Sequence, residues 1–209
     1  MPDFATLLPF LAAALALNLT PGADMTYVIA RSATQGRTAG LAASFGVAAG
    51  SLGHTLLAAF GVAALVAHSA TAFLVIKVAG AGYLLFLAWK AIRASAQAAH
   101  LRSLAPVKTS RVFAEGALTN LLNPKVALFI VAFLPQFVDP RQGSVALQIL
   151  VLGTIFNIGG TTVNCVVAVS AGAASSMLRE SERFSRWLNR FSALVFVGLA
   201  LRLAFAERR

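Results

Sequence analysis

Two stretches of this chain set proline beside amide and charged residues inside long apolar runs. The first reads Asn18-Leu19-Thr20-Pro21-Gly22-Ala23-Asp24 and the second Asn120-Leu121-Leu122-Asn123-Pro124-Lys125. Proline lacks a backbone donor and interrupts a helical ladder. A helix broken there exposes unpaired carbonyls before the break and unpaired amides after it. Such amides stand at a positive helix end and can bind a carboxylate. The carbonyls, with Asn18 and Thr20, can accept from an ammonium group or a cation. Asp24 adds a carboxylate and Lys125 an ammonium group, able to neutralise a carboxylate or to pair with Asp24 when the site is empty. Charge within a bilayer is expensive and points by default to function. Two broken helices at matching places in two halves are what a solute site lined by discontinuous helices requires. The bland alternatives are a simple kink at Pro21, with Asp24 near the interface, and a Lys125 that snorkels out along its stem.

Other residues could contribute. Gly46, Gly50 and His54 share one helix face, and Gly53 adds to the small residues there. Such spacing lets helix backbones approach closely. On that face His54 either bonds a neighbouring backbone or carries a proton, since histidine titrates near neutrality. Asn157, Thr161 and Asn164 share a second face, which either lines a polar path or bonds neighbouring helices. Lys77 is within reach of the outer interface, Glu115 is one helical turn from Arg111, and Gln136 falls at an outer mouth. No nucleotide-binding loop, paired zinc-ligand motif or nucleophile elbow is present, so no cofactor, metal site or enzyme activity is expected. Cys165 is the single cysteine, which excludes a disulfide or redox pair within one chain.

The elements that position these residues are membrane helices. Of 209 residues, 58% are hydrophobic and 11% charged, against about 25% charged in a soluble domain. Mean hydropathy is +0.80. Strands of alternating polarity are absent from the sequence, which argues against a membrane barrel. A spanning helix takes about 20 apolar residues. Six spans are expected: Phe4–Ala30, Thr38–Ala67, Thr71–Ile92, Val112–Val138, Ser144–Met177 and Trp187–Phe205. The first reads as a retained span, since no basic region precedes it. The net charge of +10 does not signal nucleic acid, because the basic residues flank the apolar segments. Arg31, Arg37, Lys90, Arg93, Arg102, Lys108, Arg111, Arg179, Arg183, Arg186 and Arg190 fall on one side. Arg141, Arg202, Arg208 and Arg209 fall on the other. The first side should be cytoplasmic, with both termini outside and Trp89 and Trp187 at the inner interface.

The expected fold is thus an all-α integral membrane protein of one domain. Residues 1–92 form one three-helix repeat and 112–209 an inverted second, joined by a loop over 93–111, with the first and fourth helices broken. Laying Pro21 on Pro124 matches Leu19 with Leu122, Gly50 with Gly153 and His54 with Asn157. Inverted repeats are a common basis of alternating access.

Leu17 to His54, Ile76 to Arg93, Gly116 to Pro140 and Leu188 to Phe205 resemble the LysE/RhtB family of bacterial amino-acid exporters. The resemblance implies a six-helix inner-membrane exporter driven by the proton motive force. It implies substrates such as threonine, homoserine or its lactone, leucine or lysine, with Thr20, Pro21, Gly22, Asp24, Asn123, Pro124 and Lys125 as motif residues. Family members read Pro-Gly-Pro where this chain has Pro21-Gly22-Ala23, and Ala193 and Ala200 stand where glycines are common. The expected substrate site comprises Asn18, Thr20, Pro21, Gly22, Asp24, Asn120, Asn123, Pro124, Lys125 and Asn157. The substrate ammonium would meet Asp24 and the first break's carbonyls. Its carboxylate would meet Lys125 and the second break's amides, with Asp24 and then His54 carrying protons. Partners are the small solute, protons and lipid; monomer and homodimer both stay open. Two other readings remain: a carrier of another small solute or a metal cation, and a membrane scaffold that transports nothing.

Overall fold

The computed structural model describes residues 4–68 and 105–180, together with single positions between 75 and 93 and between 190 and 201. Every regular element among them is helical. In chain order these are α1 (Phe4–Leu19), α2 (Ala23–Gln35), α3 (Arg37–His68), α4 (Thr109–Leu121) and α5 (Pro124–Leu128). A wide π turn (Phe129–Phe133), two tight 3-10 turns (Leu134–Phe137 and Pro140–Gln142) and the long α6 (Val145–Glu180) follow.

Both proline breaks are real. The axis bends by 47° between Leu7–Leu19 and Ala23–Gln35, and by 51° between Thr109–Leu121 and Pro124–Phe137. At the first, Gly22 is extended, with φ −156° and ψ −168°. At the second, Pro124 opens α5 as its first residue, where a missing N–H does no harm. The Asn123 side chain caps the new helix by accepting from the Lys125 amide at 3.0 Å. Gly36, at φ 83°, makes the left-handed turn that separates α2 from α3.

Two straight helices, Arg37–Gly61 and Val145–Ser170, are long and apolar enough to cross a bilayer. Counting each bent pair as one span gives up to four among the described residues. The spans expected at Thr71–Ile92 and Trp187–Phe205 lie mostly outside the described residues, as do Lys77 and Trp187. Three expected boundaries change. The first broken segment continues past Ala30 to Gln35, the second begins at Thr109 rather than Val112, and α6 runs on beyond Met177 to Glu180.

Glycine sets how closely the helices pack. A Cβ on Gly46 would overlap the Phe113 carbonyl, and one on Gly116 would lie 2.7 Å from the Ala43 carbonyl. Thus α3 and α4 touch backbone to backbone, as the small-residue face anticipates. A Cβ on Gly153 would strike Thr55, so α3 also crosses α6 closely. The main apolar core lies beside the second break. There Phe129 stacks on Phe156 at 4.8 Å, and Phe133 and Phe137 pack edge-on at 4.9 Å. Phe10 of α1 closes the cluster against Phe137 at 5.4 Å. Large apolar side chains such as Phe45, Leu52 and Leu56 on α3 point outward and are exposed, which suits a lipid-facing surface.

Candidate substrate site at the two helix breaks

Each proline deprives one carbonyl of its normal partner, that of the residue four positions earlier. For Pro21 this is Leu17; for Pro124 it is Asn120. Both carbonyls take a substitute three-residue bond, from Thr20 N at 3.2 Å and from Asn123 N at 2.9 Å. Each keeps a lone pair, and a side chain from elsewhere fills it. Lys125 Nζ donates to Leu17 O at 3.2 Å and to Thr20 O at 2.9 Å. His54 Nε2 lies 3.1 Å from Asn120 O. A carbonyl only accepts, so that His54 nitrogen carries the hydrogen. The two local arrangements correspond when Pro21 is laid on Pro124.

The two motifs therefore interlock. The lysine of the second reaches into the carbonyl end of the first. A Cβ on Gly22 would lie 3.1 Å from Lys125 Nζ, so the glycine leaves the ammonium its room. This corrects two sequence expectations. The first break's carbonyls already hold the protein's own ammonium, and Lys125 forms no ion pair with Asp24. The amide opening the second helix is likewise taken, by the Asn123 cap.

Unmet polar groups remain around Asp24. Its Oδ2 accepts from Asn120 Nδ2 at 2.8 Å. Asp24 Oδ1, Asn120 Oδ1 and Asn123 Nδ2 are buried and have no hydrogen-bond partner. Asn123 faces the same carboxylate without closing a hydrogen bond to it. Asp24 is 9% exposed, Asn120 1% and Asn123 5%. Buried polar atoms are nearly always paired, so a cluster of three that is not has room for a partner from outside the chain, water or solute. Lys125 and His54 are the charged or titratable side chains facing Asp24.

Other expected site residues join helices instead. Asn18 Nδ2 donates to Phe156 O at 3.2 Å and ties α1 to α6. Asn157 Nδ2 donates to Ala48 O at 2.7 Å, and Thr161 donates to its Oδ1 at 3.2 Å, tying α6 to α3. Thr20 Oγ1 turns back to Ala16 O at 2.6 Å. A Cβ on Gly50 would press on the Ala117 carbonyl and on Asn120, and one on Gly53 would lie 3.1 Å from Leu121 Cδ2. The glycine face thus holds Asn120 in place. Pro21 and Pro124 are exposed beside the site.

A second polar cluster was not foreseen. Arg31, placed by sequence at a loop flank, is only 4% exposed. Its Nη2 pairs with Glu115 Oε2, its Nε donates to Tyr27 Oη at 3.2 Å, and its Nη1 donates to Gln35 Oε1 at 2.8 Å and Ala105 O at 3.1 Å. Gln35 Nε2 donates to Val107 O at 2.8 Å. Arg111 pairs with Glu115 as the one-turn spacing suggests, at 2.9 Å. The cluster straps α2 to α4 and to the segment before α4. The helix-spaced trio Tyr27, Arg31 and Gln35 was its only sequence signal. Beyond the second break, Gln148 clips the Asp139 backbone through bonds of 3.1 and 2.9 Å. There Arg141 holds the Asp139 carboxyl down to about 2. Among the described residues no group of three His, Cys, Asp or Glu is placed to hold a metal ion.

A model of the LysE type translocator family matches residues 15–207. The chain is 31% identical over 208 residues to an uncharacterized membrane protein of Vibrio cholerae, covering 98% of this chain and 99% of that one. It is 31% identical over 196 residues to an uncharacterized membrane protein of Pseudomonas aeruginosa, covering 90% and 89%. It is 26% identical over 206 residues to the uncharacterized membrane protein YrhP of Bacillus subtilis, covering 94% and 97%. No solved structure matches the chain.

Proposed function

The chain belongs to the LysE type translocator family, and from that premise we propose that it is a secondary carrier exporting amino acids or close derivatives across the bacterial inner membrane in exchange for protons. One observation carries this reading. A carboxylate, an ammonium group and three unpaired polar atoms converge where two helices break. That combination suits a zwitterion better than a simple ion. The substrate ammonium meets Asp24 Oδ1 and Asn120 Oδ1, the acceptors left open, rather than the carbonyls that Lys125 holds. Its carboxylate meets Asn123 Nδ2 and the Lys125 ammonium.

The overall plan is six helices in two inverted halves, with both termini outside. The paired bends and the matched bonding of Leu17 and Asn120 support it. In this reading the halves rock against each other about the glycine contacts, and Asp24 exchanges a proton for substrate, with His54 second.

Export and counterflow in proteoliposomes test the proposal, using threonine, homoserine, homoserine lactone, leucine and lysine in turn. At least one should be exchanged in a manner driven by a proton gradient. Asp24→Asn and Lys125→Ala should each abolish that exchange. Wild-type export by both variants would remove the site assignment, and movement of a metal cation alone would replace the substrate class.

A further inference from the structure

Asp24 and Asn120 are joined by a single hydrogen bond, and each retains one buried oxygen that accepts from nothing. Two acceptors without a donor are not satisfied by rotating either group. Asn123 Nδ2 faces the carboxylate as a further donor but falls short of hydrogen-bond geometry, while Lys125 Nζ and His54 Nε2 are engaged by backbone carbonyls. What the pair lacks is a donor supplied from outside. Two kinds fit. A proton on Asp24 Oδ1 would donate to Asn120 Oδ1, closing an eight-membered acid–amide ring with both oxygens paired. A primary ammonium group would donate one N–H to each oxygen and leave the carboxylate ionised.

We propose that Asp24 Oδ1 and Asn120 Oδ1 form one shared position that holds either a proton or a primary ammonium group and never both, with Asn120 as the positioning residue that makes them exclusive. The inference rests on the exporter reading above and supplies its exchange step. Protonated Asp24 plus an alkylammonium ion gives ionised Asp24 bound to the ammonium, and one proton leaves to water. Both filled states bring the Asp24 carboxyl to no net charge beside Lys125 and His54, the other charged or titratable groups facing it. The empty state leaves the Asp24 anion facing the Lys125 ammonium, with no donor bonded to its Oδ1. Asn120 suits its task because it is fixed twice. Gly50 admits it against α3, and its carbonyl meets His54.

The test uses the full chain in detergent and n-propylammonium as the ligand, so it does not depend on the natural substrate. Dicyclohexylcarbodiimide couples only to protonated carboxyls in apolar surroundings. Its labelling of Asp24, located by peptide mass, should fall as pH rises and as propylammonium is added. Below the midpoint of titration, each unit of lower pH should raise the protecting amine concentration about tenfold, as one-for-one competition demands. In weak buffer, amine addition to the protonated protein should release one proton per chain. Asn120→Leu should keep the labelling and lose the amine protection. Asn120→Ser, which retains an oxygen and a smaller volume, should protect weakly and serves if the leucine variant fails to fold. Amine binding to wild-type protein without proton release, or undiminished protection in Asn120→Leu, would overturn the proposal. Competition at Asp24 in a protein that exports no amino acid would leave the proposal standing and refute the exporter reading alone.

Discussion

Lys125 places its ammonium 3.2 Å from the carbonyl oxygen of Leu17, the group that Pro21 strips of its backbone donor. The proline that damages one helix is thus compensated by a lysine that opens another. A buried ammonium needs acceptors and a broken helix end needs donors, so each motif satisfies the other. Neither is stable alone at that depth.

The first prediction follows directly. Lys125→Met removes both charge-assisted bonds while keeping the stem. Hydrogen bonds to charged groups contribute about 1.5–3 kcal/mol each, so export should fall at least about tenfold and thermal stability should drop. Lys125→Arg should recover stability more than transport, because its planar fork does not reproduce a point charge. Efflux from preloaded vesicles and melting in detergent separate the two.

Gly22 gives a graded series. The far end of a flexible side chain is all that a Cβ there would meet, and the backbone is extended. Gly22→Ala should therefore be mild. Gly22→Val should push Lys125 from the carbonyls and behave like Lys125→Met. Equal activity in the alanine and valine variants would contradict this.

The α3–α4 seam makes a contrasting prediction. Gly46→Ala and Gly116→Ala would each drive a methyl into backbone, with nothing flexible to yield. Overpacking of this kind costs about 1–3 kcal/mol. Gly61→Ala meets open space and should change little. Thermal midpoints of the three variants, measured in one detergent, check the order.

Arg31 and Glu115 are expected to couple. Removing one partner of a buried pair typically destabilises by about 3–5 kcal/mol, because the other charge is stranded. Glu115 is partly exposed and also holds Arg111, so Glu115→Gln should be milder than Arg31→Met. The double variant should be less unstable than the sum of the two singles. Additive losses in a double-mutant cycle would refute the coupling.

The Asp139–Arg141 pair lies at the surface and sets a pH signature. The Asp139 carboxyl sits at about 2, below its ordinary value of 3.8. A depressed carboxyl contributes stability that is present above the unfolded value and lost as pH falls through the folded one. The loss should occur between about pH 4 and pH 2, and Asp139→Asn should remove it. Melting midpoints across that window decide the matter.

Much of this was legible in the sequence for a simple reason. Proline, glycine and asparagine punctuate apolar runs locally, and both breaks fall where those residues predicted. The close seam was legible too, since glycines one turn apart on a helix have few other uses. The destination of Lys125 was not, because a four-carbon stem can reach many acceptors and only the packed neighbours select one. Arg31 misled for a related reason. An arginine at the end of an apolar stretch reads as an interfacial charge until its tertiary partners, Glu115 and Ala105, are seen. Asn18 and Asn157 read as solute ligands, yet each bonds a facing backbone carbonyl, a use that a single chain of letters does not distinguish.

The π turn over Phe129–Phe133 has a bearing on the helix that carries Lys125. Such a turn holds one residue more than an α turn needs. The segment beyond it, from Leu134 to Phe137, is therefore turned about the axis relative to a continuous α5. The surplus residue thus works as slack wound into the helix. It allows the lysine end and the aromatic end to be set independently, so that one could turn without dragging the other.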